Sequence, residues 1–432
     1  MTKIIFTNAH IVDPTQKINR LGSLTVENKK ITDISSNIQI TKKKNICVVD
    51  CKKLILSPGF VDLKCHLRVP GDEHKENLSY ASKAAASSGI TSLVCMPNTN
   101  PIIDNVSLVE LLQRKARKES HVKIYSTASI TKKLQGKELS EFGLLHEAGA
   151  VAFTDAISSV DSSSVMYKAL KYASAFDVLL MQHAQEKELS EGGAMTSGKL
   201  STELGIKGIP IEAEVIQVER DIRLAEMTNG RLHFLNISTG YAINAIEKAQ
   251  ERGVRITCST SPHYFSLDSE DIKKWRTFAK LSPPLRDKQN IEFVKKGIVN
   301  NIISCITSDH SPHDTDSKRL PFEVASSGSI GFESFLPLTL NIIKEKKLGI
   351  SKLVELLSSN PAKLLNLQAG NLKKGSNADI VIFDPNKKIY LTSKAIKSKS
   401  RNFPYEKTRA YGEIFLTMVD GKVVFQNGKL IN

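Results

Sequence analysis

The sequence predicts an α/β fold: a (β/α)8 barrel of the TIM type carrying a small composite β-sandwich domain made from both termini. Three observations predict it. Strand-sized apolar runs alternate with helix-patterned segments through the middle of the chain, short β-type runs fill both ends, and carboxylates and imidazoles stand where the middle strands stop.

At the N-terminal end the β-type runs begin at Lys3, Ser23, Ile31 and Ile46, separated by polar turns. At the C-terminal end they begin at Ala378 and Glu413 and close on Asp420-Gly421 and Asn427-Gly428, dipeptides that favour tight hairpins. Residues 1–56 and 367–432 are therefore expected to build one β domain, interrupted by a barrel over residues 57–366. In the middle, apolar runs end near residues 64, 96, 127, 155, 183, 236, 259 and 308, with helical patterns such as Glu212 to Thr228 and Tyr241 to Arg252 between them. Eight alternations fit a barrel better than a doubly wound sheet, and no glycine-rich phosphate loop follows a strand.

Composition narrows the class further. The 432 residues are 41% hydrophobic and 24% charged, so a large core is available and global disorder is excluded. The longest apolar runs, such as Val178 to Met181, fall well short of the ~18 residues of a membrane span. Thr7, Asn8 and His10 interrupt the start before a signal-type apolar stretch forms, and the six cysteines show no CxxC pair. They read as small buried hydrophobes of a reducing cytoplasm. The net charge of +15 is dispersed, with short clusters at Lys42 to Lys44 and Lys387 to Lys399 and no zinc finger or interleaved aromatics. A solvated surface accounts for it more simply than nucleic acid does.

Chemistry gathers at the C-terminal ends of barrel strands. Read in order, those ends carry Asp62, Lys64, His66 and Arg68; Asn98; Asp155; His183; His233 and Asn236; then Asp309, His310 and His313. Carboxylates and imidazoles converging from separate strands are what a hydrolytic metal site requires.

These residues lie in recognisable motifs. Pro58-Gly59-Phe60-Val61-Asp62 with His66-Leu67-Arg68, Met96-Pro97-Asn98-Thr99, Gly208-Ile209-Pro210 through Arg220-Asp221-Ile222, Pro283-Pro284-Leu285-Arg286, Asp309 to His313, Asn360 to Lys363 and Gly375 to Asp379 span nearly the whole chain. With them the sequence resembles the dihydroorotases of the amidohydrolase superfamily, in the branch related to the multifunctional pyrimidine enzymes. The resemblance implies interconversion of N-carbamoyl-aspartate and dihydroorotate by a metal-held hydroxide, with Asp309 moving the proton. It also implies that Arg68 holds a substrate carboxylate, helped by Asn98 and His313.

The pattern departs from the family at the metal. The resemblance calls for His-x-His on the first strand and His on the sixth, but Lys64 and Asn236 occupy those positions. His233 lies three residues before Asn236, on the other side of a regular strand, and cannot replace it. Ala156-Ile157 follow Asp155 where the family has Asp-Gly, and Ser282 precedes Pro283 where it has Asn. His66, Asp155, His183 and Asp309 remain, enough for one zinc at most, or none. An ammonium at Lys64 is repelled by a divalent cation and attracted by Asp155 and Asp309, so Lys64 is expected to replace metal charge and pair with both.

Two readings follow: a cyclic amidohydrolase with an eroded metal site, or a silent subunit that supports aspartate transcarbamoylase. A hydantoinase or allantoinase is disfavoured, because Asp155 stands where the resemblance would place a metal-bridging modified lysine. A homo-oligomer without nucleic-acid or membrane partners is expected. His10, His74, His121 and His146 read as surface or loop histidines, His263 as no metal ligand, Cys65 as core, and Ser158 to Ser164 as a segment that could cover the site.

Overall fold

The alternation of the middle chain is realised as two parallel sheets. In the computed structural model, which describes residues 3–36 and 46–431, Phe60–Cys65, Ile90–Cys95 and Lys123–Ser126 pair in order. Leu179–His183, Arg231–Leu235, Ile256–Thr260 and Cys305–Ile306 pair in order as the second sheet. Single parallel bridges join the sheets at both seams, Ala128 to Phe153 to Leu180 on one and Cys65 to His310 on the other. The strand expected to end at Asp155 is represented by single bridges at Phe153, where the Phe153 and Thr154 amides donate to the carbonyls of Leu179 and Ala128 on its two sides.

Every residue of Phe60–Cys65, Ile90–Cys95 and Leu179–His183 is buried, the pattern of parallel strands covered on both faces. The covering helices start where a side chain can satisfy a free amide. Asn77, Asn105, Ser162, Thr239 and Asp287 each accept a hydrogen bond from the third residue onward. Helices Glu212–Thr228 and Gly240–Glu251 fall where the periodicity puts them.

The ends of the chain form one continuous nine-stranded hydrogen-bonded sheet with its own buried cluster, which includes Phe6, Leu24, Leu56, Ile380 and Leu416. Its seam pairs Ile55–Pro58 antiparallel with Ile380–Leu391, so the two termini share one hydrogen-bond ladder. Asp420-Gly421 and Asn427-Gly428 all have positive φ, as mirror-image hairpin turns demand. Five cysteines are buried, whereas Cys47 is exposed on the edge of this sheet. The Lys42 to Lys44 cluster lies outside the described residues. No helix is long and apolar enough to cross a membrane among the described residues.

Candidate active site

The site is assembled where strand geometry breaks. A register shift between Asp62 and Cys65 falls on the segment carrying Lys64, and an irregularity of this kind re-aims a side chain. Arg68, Ala156, Asn236 and Asp309, each just beyond a strand end, have φ between +52° and +60°. Left-handed backbone at non-glycine residues is uncommon and clusters at functional sites. Asp62 accepts hydrogen bonds from the Ser308 amide at 2.8 Å and from the Ser308 hydroxyl, tying the first strand to the last. Burial pushes the Asp62 carboxyl up to about 6 against the pull of those bonds.

On one side of the site each expected metal-binding side chain has at least one protein partner, although His183 Nδ1 has none. The Lys64 ammonium, 1% exposed, lies 2.8 Å from Asp309 Oδ1. Asp155 does not share that ammonium, contrary to expectation. It accepts from the Thr131 amide at 2.9 Å and from the Thr131 hydroxyl, and burial raises its carboxyl to about 6. The Thr131 donors take up the oxygens that Lys64 would need. His66 Nδ1 lies 2.8 Å from Asn98 Oδ1, so Nδ1–H donates and Nε2 keeps the lone pair. Burial, reinforced by the charges of Arg68 and Lys64, holds His66 well below the usual imidazole range.

His183 Nε2 lies 3.1 Å from the Ser282 hydroxyl, and burial with Lys64 and Arg286 nearby lowers it to about 3. Asn236 Oδ1 accepts from Thr307 Oγ1 at 2.9 Å, leaving its buried Nδ2 without a partner. His233 places its two nitrogens 2.8 and 3.0 Å from the Thr257 and Ser259 hydroxyls of the next strand, so both are engaged away from Asn236. Among the described residues no three His, Cys, Asp or Glu side chains come together to hold a metal ion. The expected zinc set of His66, Asp155, His183 and Asp309 therefore does not converge, because each member is turned to a different neighbour. An ammonium on Asp309 also puts positive charge where a divalent cation would need negative. The residues present do not fit the metal.

The other side is built differently. Arg68 is buried; its Nε donates to the Pro312 carbonyl at 3.1 Å and one Nη to the Ser311 hydroxyl at 3.0 Å. It makes no ion pair with a protein carboxylate among the described residues, and Asp72, whose charge reaches it, is taken by Lys75 at 3.2 Å. His313 Nε2 lies 2.9 Å from the Ser327 carbonyl and 3.2 Å from an Arg68 Nη, and burial beside Arg68 depresses the ring to about 3. Asn98, with Oδ1 spent on His66, retains its amide donors.

Three contributors were not singled out by the sequence. Tyr405 and Asn402 reach the barrel from the C-terminal segment assigned to the β domain. Tyr405 OH lies 2.6 Å from His263 Nδ1, and His263, whose ring feels Asp309 and Lys64, has a buried Nε2 without a partner. Asn402 bridges the carbonyls of Ser311 and Gly328 and accepts the His313 amide. Thr131 carried no signal at all. Tyr405 and Asn402 lie within Asn402-Phe403-Pro404-Tyr405, an apolar and proline-containing break in a lysine-rich stretch, which could have marked them. The segment from Ser158 is pinned, with the Ser159 hydroxyl on the His183 and Gln185 carbonyls and Arg220 on the Val160 carbonyl.

Comparison with solved structures fixes the class. The L-hydantoinase (dihydropyrimidinase) from Arthrobacter aurescens superposes with a TM-score of 0.89 at 23% identity, covering 100% of this chain and 98% of that one. A dihydropyrimidinase from Brevibacillus agri gives 0.85 at 22% identity, covering 100% and 96%. The fold is that of these two proteins. A family described as dihydro-orotase-like matches residues 52–241. The dihydroorotase of Acetivibrio thermocellus is 40% identical over 99% of this chain and 100% of its own length. Those of Syntrophotalea carbinolica and a Wolbachia of Drosophila simulans are 38% and 39% identical over 98% of this chain, covering 99% and 96% of their own. The chain belongs to the dihydroorotase family.

Proposed function

We propose that this chain is a dihydroorotase-type cyclic amidohydrolase that binds dihydroorotate and N-carbamoyl-aspartate at a site whose metal charge is replaced by the Lys64 ammonium. The observation that carries the reading is Arg68: a buried guanidinium with no protein carboxylate is costly unless a ligand anion completes it. A planar carboxylate suits its fork, and the Asn98 amide supplies a second donor.

In this reading Arg68 fixes the carboxylate end of the ligand; in ring opening the Asp309 carboxylate, oriented by Lys64, takes a proton from the water that adds to the ring carbonyl and passes it to the amide nitrogen as the C–N bond breaks, and closure is the reverse. The Lys64 ammonium supplies positive charge beside the reacting carbonyl. No step passes through zinc. The same reading takes residues 57–366 as a closed eight-stave barrel, 1–56 with 367–432 as its β domain, and pyrimidine synthesis in the cytoplasm as the setting. The Lys64–Asp309 pair equally favours a second reading, in which the chain is catalytically silent and supports aspartate transcarbamoylase.

Calorimetric titration with dihydroorotate in the presence of chelator tests the binding claim; no heat with the parent chain sinks it. Ring opening is then assayed with and without zinc for the parent and for Lys64→His/Asn236→His. Metal-independent turnover lost in Asp309→Ala supports the enzyme. Turnover only in the zinc-loaded double variant, with aspartate transcarbamoylase co-purifying, supports the silent subunit. Tightly bound zinc in the parent protein would overturn charge replacement.

A further inference from the structure

A second basic site lies outside the one described above. A cleft of about 760 Å³ is lined by Arg276, Lys318 and Arg319, with Lys273 at its margin. Leu204, Ile206, Ile272, Leu320, Pro321 and Phe322 form its apolar wall. No carboxylate lines it. Lys273 is tied to Glu270 and Glu203, but Arg276, Lys318 and Arg319 make no ion pair among the described residues.

Lys318 is the informative residue. It is 3% exposed, yet its ammonium has only the Ser326 carbonyl, at 2.7 Å, as partner. The cation nearest in effect is another lysine, Lys280, whose ammonium is held by the Glu323 carbonyl at 2.8 Å. Buried ammonium groups are ordinarily paired, because desolvation without a counter-charge opposes their ionised form. Desolvation accordingly lowers Lys318 to about 7. An anion in the cleft would supply the missing charge.

We propose that this cleft is a binding site for a phosphate ester with an apolar or aromatic body, its phosphates on Lys318, Arg276 and Arg319 and its body against Leu320 and Phe322. Three cations and an apolar wall in one lining, with no carboxylate among them, suit such a ligand better than a simple inorganic ion. The cleft also shares a wall with the first site. Ser326 is held by Lys318, Ser327 by His313 and Gly328 by the Lys280 carbonyl, three consecutive residues between the two basic groups.

The chain's one tryptophan, Trp275, precedes Arg276 and reports on the cleft. Its fluorescence is followed while the whole chain is titrated with inorganic pyrophosphate and with a nucleoside 5′-diphosphate, both without divalent metal, and calorimetry confirms each isotherm. The nucleoside diphosphate is expected to bind at micromolar to submillimolar concentration and more tightly than pyrophosphate. Lys318→Met, which replaces a buried cation by an apolar chain of similar shape, and Arg276→Gly, which suits the φ of 49° and ψ of −127° at that position, should each weaken it at least tenfold. Leu320→Ser should weaken the ester while leaving pyrophosphate within twofold. No binding at millimolar ligand, or equal affinity in the parent and both charge variants, overturns the site. Equal affinity for ester and pyrophosphate overturns the assignment of an apolar body. None of these outcomes depends on ring-opening activity.

Discussion

Around Arg68, positive charge is buried and left open; around Lys64, it is buried and closed. The guanidinium spends its bonds on a carbonyl, a hydroxyl and the His313 ring, groups that orient it without cancelling it. The ammonium sits directly on Asp309, and Asp155, His66 and His183 are each engaged by a neighbouring side chain. One half of the site is therefore poised for an anionic ligand, while the other already contains its own counter-charge. The two arrangements lie within a few residues of each other because they depend on different side chains of the same strand ends.

The largest expected effect comes from opening the closed half. Asp309→Asn leaves the Lys64 ammonium buried and unpaired, and should cost about 3–5 kcal/mol in denaturant unfolding. Lys64→Met/Asp309→Leu should recover most of that loss; if the single change is silent, the two residues are not coupled as described. Next comes the open half. Arg68→Gln should weaken dihydroorotate binding by roughly 30- to 150-fold, the worth of about 2–3 kcal/mol of charge-assisted hydrogen bonding. Unchanged calorimetric affinity would remove Arg68 from the binding site.

A smaller effect separates Asp155 from Lys64. Burial raises the folded Asp155 carboxyl to about 6 from an ordinary 3.8, so the native state holds this proton more tightly than the unfolded chain. Its contribution is complete below about pH 4 and is lost as pH rises through 6, with a slope of at most about 1.4 kcal/mol per pH unit. Melting of the parent relative to Asp155→Asn should thus lose its advantage between pH 4 and 6. A constant difference would mean that Asp155 is ion-paired after all. The histidines act oppositely: His183, lowered to about 3, contributes stability that disappears as pH falls below its ordinary 6.5. Smallest of all, Tyr405→Phe should cost about 1 kcal/mol, one hydrogen bond to His263. A change in dihydroorotate affinity larger than the change in stability would give Tyr405 a positioning role as well.

Much of this molecule was legible in its residues. The alternation of apolar runs placed the strands near their ends, Asp-Gly and Asn-Gly placed the hairpins, and the motif positions placed Lys64 beside Asp309. Other features were not legible, for a common reason. The fourth strand is represented by bridges at Phe153 alone. Asp155 goes to Thr131, 24 positions earlier, and not to Lys64. Pairings of this kind depend on which strand end lies nearest in space, which no spacing along the chain records.

The sequence by itself determined the class: strand and helix periods are local properties, and the identities of Lys64 and Asn236 forecast that the metal side had changed. Only the tertiary structure decided how the change was accommodated. It brought Tyr405 and Asn402 from the far end of the chain to the barrel, gave Asp309 to Lys64 and Asp155 to Thr131, and left Arg68 and Lys318 without protein carboxylates. Charge satisfaction is a matter of distance and burial, and both are set by the folded chain.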